Sequence, residues 1–407
     1  MNDWQAFGSE LRRLRLQRNL TLRGLAKSIR YDVGALSRIE NGIRKPPSQI
    51  VQALDTELDA AGSLIRLATG GGATAADEIS AAAADSLAFA DWATDDRSGR
   101  LSVESLNYEI ARIATSYVHS PPRPLLDDLQ ALRDQVWQLL RAGPAPTQAR
   151  ELMFLGGVAV ALLAQLTGNL GRPMAAMQHA MAAERLAQQA EHTGLLAWLA
   201  GTKALIAEWS GNPSRALEFA QRGTAVAPAG EQRVRLAALE ARCAARLGRV
   251  EEARAAVARA VAAAQQPADR DDVTGFGGVL RFPAAKASYY AGSTFRLIGD
   301  YQQAERWATD AIAAYAAGPS DERSYGDEAL ARADIAIASI ARQAVDDAAE
   351  ILAPVLQLPP GQRIHPVIEG MKQVGQHLGA AACPQSPAVA SLREALASFP
   401  LCEPPAK

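Results

Sequence analysis

The sequence predicts an all-α protein, a small helical head followed by a solenoid of helical hairpins. Three observations carry this. Apolar residues in the first 60 positions recur at i, i+3, i+4 and i+7. From Glu104 onward alanine is very frequent, β-branched runs are absent, and Gly and Pro punctuate the segments. A Gly-led unit then recurs at Gly171, Gly211, Gly248 and Gly299, at spacings of 40, 37 and 51 residues. With 407 residues, 48% of them hydrophobic, the chain has material for more than one buried core.

The head reads as five helices. Residues 4–18 make the first, with Leu11, Leu14 and Leu16 apolar and four arginines, Arg12, Arg13, Arg15 and Arg18, among them. Thr21 caps a second that carries Leu22, Leu25, Ala26 and Ile29. Asp32 caps a third with Ala35, Leu36 and Ile39, ending at Asn41-Gly42, a good helix stop. Ser48 caps a fourth, to about Leu58, and Ala61–Ala68 closes the set. Two short helices joined by a tight polar turn form a helix-turn-helix, whose second helix fits the DNA major groove.

LRRLRLQRNLTLRGLAKSIRYDVGALSRIENGIRKPP resembles the Xre/Cro family of helix-turn-helix domains, most tellingly in Leu25-Ala26, Leu36 to Gly42, and Pro46. The resemblance covers about the first 65 residues. It implies a bridge from Arg15 to Glu40 that ties the first helix to the third, and phosphate contacts from Thr21, Arg23, Arg44 and Lys45. The start of the third helix supplies the base-contact candidates Val33, Gly34, Ala35, Ser37 and Arg38. Ser37 and Arg38 can hydrogen-bond base edges, and Val33 and Ala35 can touch thymine methyls. Such an apolar edge leaves much of the affinity to DNA shape and phosphates.

Charge divides the chain in the same way. Residues 1–50 hold ten Lys/Arg against four Asp/Glu, and the remainder 32 against 40. A basic head on an acidic body suits nucleic-acid binding by the head alone. Cys243, Cys383 and Cys402 have no CxxC spacing, so neither a disulfide framework nor a zinc site is expected. No charged-then-apolar leader opens the sequence, and no stretch approaches 18 uninterrupted apolar residues; the expectation is a cytoplasmic protein without a membrane partner. The Ala, Arg and Gly richness has the look of a high-GC bacterial genome.

The domain boundaries follow: residues 1–68 as the head, 69–100 as a connecting segment, and 101–407 as the solenoid. TGGGATAA from Thr69 is a flexible linker, and 77–100 reads either as a helix or as more linker. Residues 104–119 and 124–141 form an antiparallel pair around Pro121-Pro122. Each glycine unit then places Ala at +5 (Ala176, Ala216, Ala253, Ala304), with small or apolar residues at +9 and +12. A weaker fifth copy lies around 344–356 without the glycine, and a loop near 265–283 accounts for the longest spacing. The tail from Pro366 to Leu396 supplies capping helices.

The units resemble tetratricopeptide repeats, best at Gly299-Asp300-Tyr301 and Gly211-Asn212-Pro213, with spacings above 34 and most Trp and Pro signatures missing. Taken whole, the chain resembles actinobacterial Xre-type regulators with a tetratricopeptide-like C-terminal half. SPPRPLL, NLGRPMAAMQHA and LQLPPGQR add to that resemblance with no chemistry attached.

In such a solenoid the first helix of each repeat lines an inner groove. Register from the glycines places Asn169, Trp198, Trp209, Arg235, Arg242, Arg246, Lys286, Tyr289 and Arg296 there, with Glu208, Ser293, Asp334 and Arg342. Arginines and aromatics suit an anionic peptide or metabolite. Peptide-pheromone receptors of Gram-positive bacteria share this combination of halves and grip peptide backbone with groove asparagines; Asn169 is the one counterpart. The bland readings stand beside these: Trp198 and Trp209 as packing between helices, Arg242 and Arg246 paired with Glu240 or Glu251 on a solvated face.

Catalysis is not expected. His119, His179, His192, His365 and His377 lack ligand spacing, Gly70-Gly71-Gly72 is followed by no Lys-Ser/Thr, Gly275 to Gly278 reads as a flexible loop, and no G-x-S-x-G occurs. Neither a cofactor nor a metal is implied. The expected function is that of a sequence-specific transcriptional regulator. It would bind a palindromic double-stranded operator as a homodimer, with a body that dimerises and senses a small ligand or peptide. The alternative is a scaffold whose solenoid recruits a partner protein.

Overall fold

A computed structural model of the chain describes residues 3–18, 20–60, 62–68, 83, 86, 100–269, 271–319, 322–381 and 387–399. The linker at 69–76, nearly all of 77–100, Cys383 and Cys402 lie outside the described residues. Among the described residues the regular structure is helical throughout, and the chain divides into two compact units, 1–95 and 96–407.

The first unit contains α1 (Asp3–Gln17), α2 (Leu22–Ser28), α3 (Val33–Glu40), α4 (Ser48–Glu57) and α5 (Ser63–Ala68). The apolar stripes of these amphipathic helices converge on Phe7, Leu11, Leu25, Leu36, Ile39, Leu54, Leu58 and Leu64, all buried. Thr21 Oγ1 accepts from Gly24 N at 3.0 Å and Asp32 Oδ1 from Ala35 N at 2.7 Å, so both expected caps form. Ser48 does not cap: Pro47 occupies the N-cap position and Ser48 is the first helical residue. The start of α5 is fixed instead by Asp55, whose carboxylate accepts from Gly62 N at 2.8 Å and Leu64 N at 3.0 Å.

The second unit is a run of seven antiparallel helix pairs among the described residues. They are α6 (Arg100–Ser116) with α7 (Pro122–Arg141), α8 (Pro146–Asn169) with α9 (Pro173–Gln189), and α10 (Thr193–Trp209) with α11 (Pro213–Thr224). Then come α12 (Glu231–Arg246) with α13 (Val250–Ala264), α14 (Ala284–Leu297) with α15 (Tyr301–Ala317), and α16 (Tyr325–Ala341) with α17 (Val345–Leu356). The last pair is α18 (His365–Ala380) with α19 (Pro387–Ser398). The turn glycines Gly171, Gly211, Gly248 and Gly299 have φ of 72°, 77°, 72° and 80°. In the fifth copy Gln343, at φ 65°, takes the glycine's place. The alanines at +5 are all fully buried, because there the second helix of a pair crosses closest to the first.

The loop after α13 is not loose. It holds two short 3-10 turns, Thr274–Phe276 and Gly278–Leu280, and a Cβ on Gly278 would lie 1.9 Å from the Ala114 carbonyl oxygen of α6. Gly278 thus permits a close approach, whereas a Cβ on Gly275 would meet no atom within 4 Å.

The unit closes on itself. Gln362 Nε2 donates to His119 O at 3.0 Å, Tyr325 N to Val118 O at 3.5 Å, and Gly171 lies beside the His365 ring. The three motifs without assigned chemistry, around Ser120–Leu126, Asn169–Ala180 and Leu356–Arg363, meet at this seam. Helix α8 is long and apolar enough to cross a membrane by composition, and 72% of its apolar window is buried inside the unit.

Candidate functional site

In the first unit, α1 and α3 are clamped by the Arg15 guanidinium. Its Nε and Nη2 donate to Glu40 Oε2 and Oε1 at 2.8 and 2.7 Å, and its Nη1 donates to Leu20 O at 2.8 Å. The fork holds the guanidinium charged, with its pKa raised by the hydrogen bond it donates to Glu40 against a smaller cost of burial. The clamp orients α3 so that Val33, Gly34 and Arg38 are exposed and Ser37 is half-buried, with its carbonyl accepting from Asn41 Nδ2 at 2.8 Å.

Ala35 departs from expectation. It is 4% exposed and packs inward with Leu36 and Ile39, so it has no methyl to offer a base. Thr21, Arg23, Arg44 and Lys45 are exposed. Lys45 Nζ lies 5.4 Å from the centre of the Trp4 ring, while Arg23, Arg38 and Arg44 carry no ion pair among the described residues. The Thr21 hydroxyl accepts from Gly24 and keeps its own proton to donate. The unit thus offers one exposed helix start flanked by cations not committed to internal carboxylates.

In the second unit, the inner helices surround a cavity of about 110 Å³. Asn169 of α8, Trp209 of α10, Arg242 of α12 and Lys286 and Tyr289 of α14 line it, as register predicts. Residues no periodicity could supply complete the wall: Tyr117, Val118, Ser324 to Asp327, and Ile364 to Pro366, brought in by the closing seam. Asn169 Nδ2 donates to Tyr117 Oη at 3.0 Å, and burial pushes that phenol well above its ordinary pKa. Lys286 Nζ lies 3.3 Å from Asp327 Oδ2.

Four of the expected ligand residues lie elsewhere. Trp198, 1% exposed, packs between α10 and its neighbours. Arg235 lies over its ring at 4.7 Å and donates to Trp198 O at 2.6 Å and Thr202 Oγ1 at 3.1 Å. Gly201 is what admits this guanidinium: a Cβ there would lie 2.6 Å from Arg235 Nη1. Arg246 and Arg296 line a smaller cleft beside the cavity, where Arg296 pairs with Asp334. Helical register gives the direction of a side chain, but not whether the adjacent inner helix covers it.

Nor do Arg242 and Arg246 lie on a solvated face. Both donate to Glu208, Arg242 through Nε at 3.2 Å and Nη2 at 2.8 Å, and Arg246 through Nε at 2.7 Å. Burial opposes the charged form of Glu208, but the two guanidiniums outweigh it and hold the carboxyl below its ordinary range. Arg242 also lies 4.4 Å from the centre of the Tyr290 ring. Burial is costly too for the Arg235 guanidinium, which lacks a carboxylate and is lowered to about 10. Asp334 is raised by burial despite Arg296.

A family described as a helix-turn-helix domain matches residues 6–68, so the first unit contains a helix-turn-helix domain. No curated protein matches the chain. Among solved structures, Bacillus thuringiensis PlcR in complex with the peptide PapR7 and DNA is 14% identical, with a TM-score of 0.28 over 77% of this chain and 98% of that one. A Rap protein complexed with competence and sporulation factor is 13% identical, with a TM-score of 0.44 over 96% of each chain.

Proposed function

We propose that the chain is a DNA-binding transcriptional regulator whose closed helical ring holds a small effector. The observation that carries the reading is the helix-turn-helix domain at residues 6–68, with Val33, Gly34 and Arg38 exposed at the start of α3. Arg38 is suited to a guanine edge, and Thr21, Arg23, Arg44 and Lys45 to phosphates. Two copies bind together, each placing α3 in a major groove of a palindrome, about one helical turn apart. The chain regulates rather than catalyses.

For the second unit, a scaffold would favour an open groove. Closure of the ring at Gln362 and His119 favours a small ligand instead. The cavity wall is built from both ends of the unit, so an effector that bridges the seam stabilises the closed form. It changes operator affinity only by its differential affinity for the closed and opened forms. Binding-site selection with the purified protein tests the DNA reading. Enriched inverted repeats are expected for the wild type, and a pool no different from the input would refute it.

A further inference from the structure

We propose that a second copy of this chain docks on the exposed face of α7, the two α7 helices running antiparallel about a two-fold axis at Asp134. This rests on the reading that two copies bind DNA together, and it names the surface that joins them.

Helix α7 turns one stripe into the unit, where Leu125, Leu129, Leu132 and Val136 are buried against α6 and α8. The opposite stripe is Asp127, Gln130, Asp134, Trp137 and Arg141, all exposed. Its steps of 3, 4, 3 and 4 residues are those of a helix laid along another helix. Trp137 is 55% exposed, more than any other tryptophan among the described residues, and Arg141 lies over its ring at 4.8 Å. Tryptophan and arginine are the side chains that most often anchor an interface. Beside α7, the outer helix α9 adds exposed Met174 and Met181. The two helices meet over Gly156, where an added Cβ would stand 2.9 Å from Val136 and 3.9 Å from Leu186.

An exposed tryptophan alone would mean little. The charges around it choose the partner. Asp127 and Arg141 carry no ion pair among the described residues. They stand about 21 Å apart along one face, at 1.5 Å per residue, so they cannot pair within one helix. Asp134 lies seven residues from each. A two-fold axis there sets Asp127 of each copy beside Arg141 of the other, and Trp137 of each against Gln130 of the other. Asp134 itself meets its own copy, but Arg133 of the same helix already answers it at 2.7 Å. Parallel helices would instead set Asp127 against Asp127 and Arg141 against Arg141. Exposed ion pairs add little affinity, so they fix direction and register while Trp137 anchors the contact.

Sedimentation equilibrium of the full chain tests this. The wild type is expected to dimerise, and Trp137→Ala to weaken the dimer at least about tenfold. Asp127→Arg and Arg141→Asp should each weaken it by facing like charges across the axis. Mixed together, those two variants should recover the wild-type dimer, because the mixed pair sets opposite charges together at both ends. All three side chains are exposed, so the fold should survive each change, which circular dichroism checks. A monomeric wild type, a dimer indifferent to these changes, or a mixture no more dimeric than its components overturns the inference. Binding-site selection separates it from the reading beneath it. Inverted repeats enriched by a protein whose dimer ignores these changes uphold that reading and overturn the α7 surface. A dimer recovered in the mixture, with no DNA enriched, does the reverse.

Discussion

Glu208, 3% exposed between Arg242 and Arg246, shows how much a single buried carboxylate organises. Glu208→Gln leaves two guanidiniums without an anion and is expected to cost about 3–5 kcal/mol in urea unfolding, as when one partner of a buried pair is removed. Its folded pKa lies below the ordinary carboxylate value of 4.5, so its stabilisation is complete above that pH. The stabilisation is lost as the pH falls below 4.5 through the folded value. Unfolding curves across that acid range should therefore steepen for the wild type and flatten for Glu208→Gln. In the first unit, Arg38→Ala should cost about 1–3 kcal/mol on the preferred site and relax sequence choice. Arg44→Ala should weaken all sequences alike and reduce the salt slope by about one. The Thr21 and Asp32 caps were legible because their partners lie in the same helix, and the Arg15–Glu40 bridge, across 25 residues, through the family resemblance. The Arg242–Glu208–Arg246 cluster was not, since Glu208 lies 34 and 38 residues away on the adjacent inner helix.

At the scale of elements, the four turn glycines and their buried alanines at +5 show why the repeat reads so clearly in sequence: a left-handed turn and a close helix crossing each admit few residue types. Gly299 has no atom within 4 Å of where a Cβ would stand, so Gly299→Ala isolates the backbone term. It should cost about 1–2 kcal/mol. Gln343 already bears that strain at φ 65°. Gln343→Gly should therefore be neutral or mildly stabilising, the relief of about 1 kcal/mol being offset by glycine's greater chain entropy of about 0.5–1 kcal/mol. Equal destabilisation by both changes in chemical denaturation would refute the assignment of Gln343 to the glycine's role. Depth was harder to read than direction. Trp198 and Arg235 do lie on inner helices, but each is covered by the other, and Gly201 was a signal only in hindsight of that stacking.

For the whole second unit, closure is the property the sequence did not disclose. It depends on pairs such as Gln362 with His119, 243 residues apart, which no local period encodes. The proline-containing motifs around Ser120 and Pro359 were the visible trace, without a partner to match them to. An effector that bridges the seam should slow hydrogen exchange at Tyr325, whose amide reaches Val118 O at 3.5 Å, and around Gln362. Unchanged exchange there under saturating ligand would count against a cavity coupled to closure. The central claim, that the chain reads DNA through α3, is tested most directly by genome-wide occupancy of the tagged protein beside Arg38→Ala and Arg44→Ala. Discrete peaks over inverted repeats, lost in both variants, are the expected result. Occupancy indistinguishable between the wild type and the variants would contradict it.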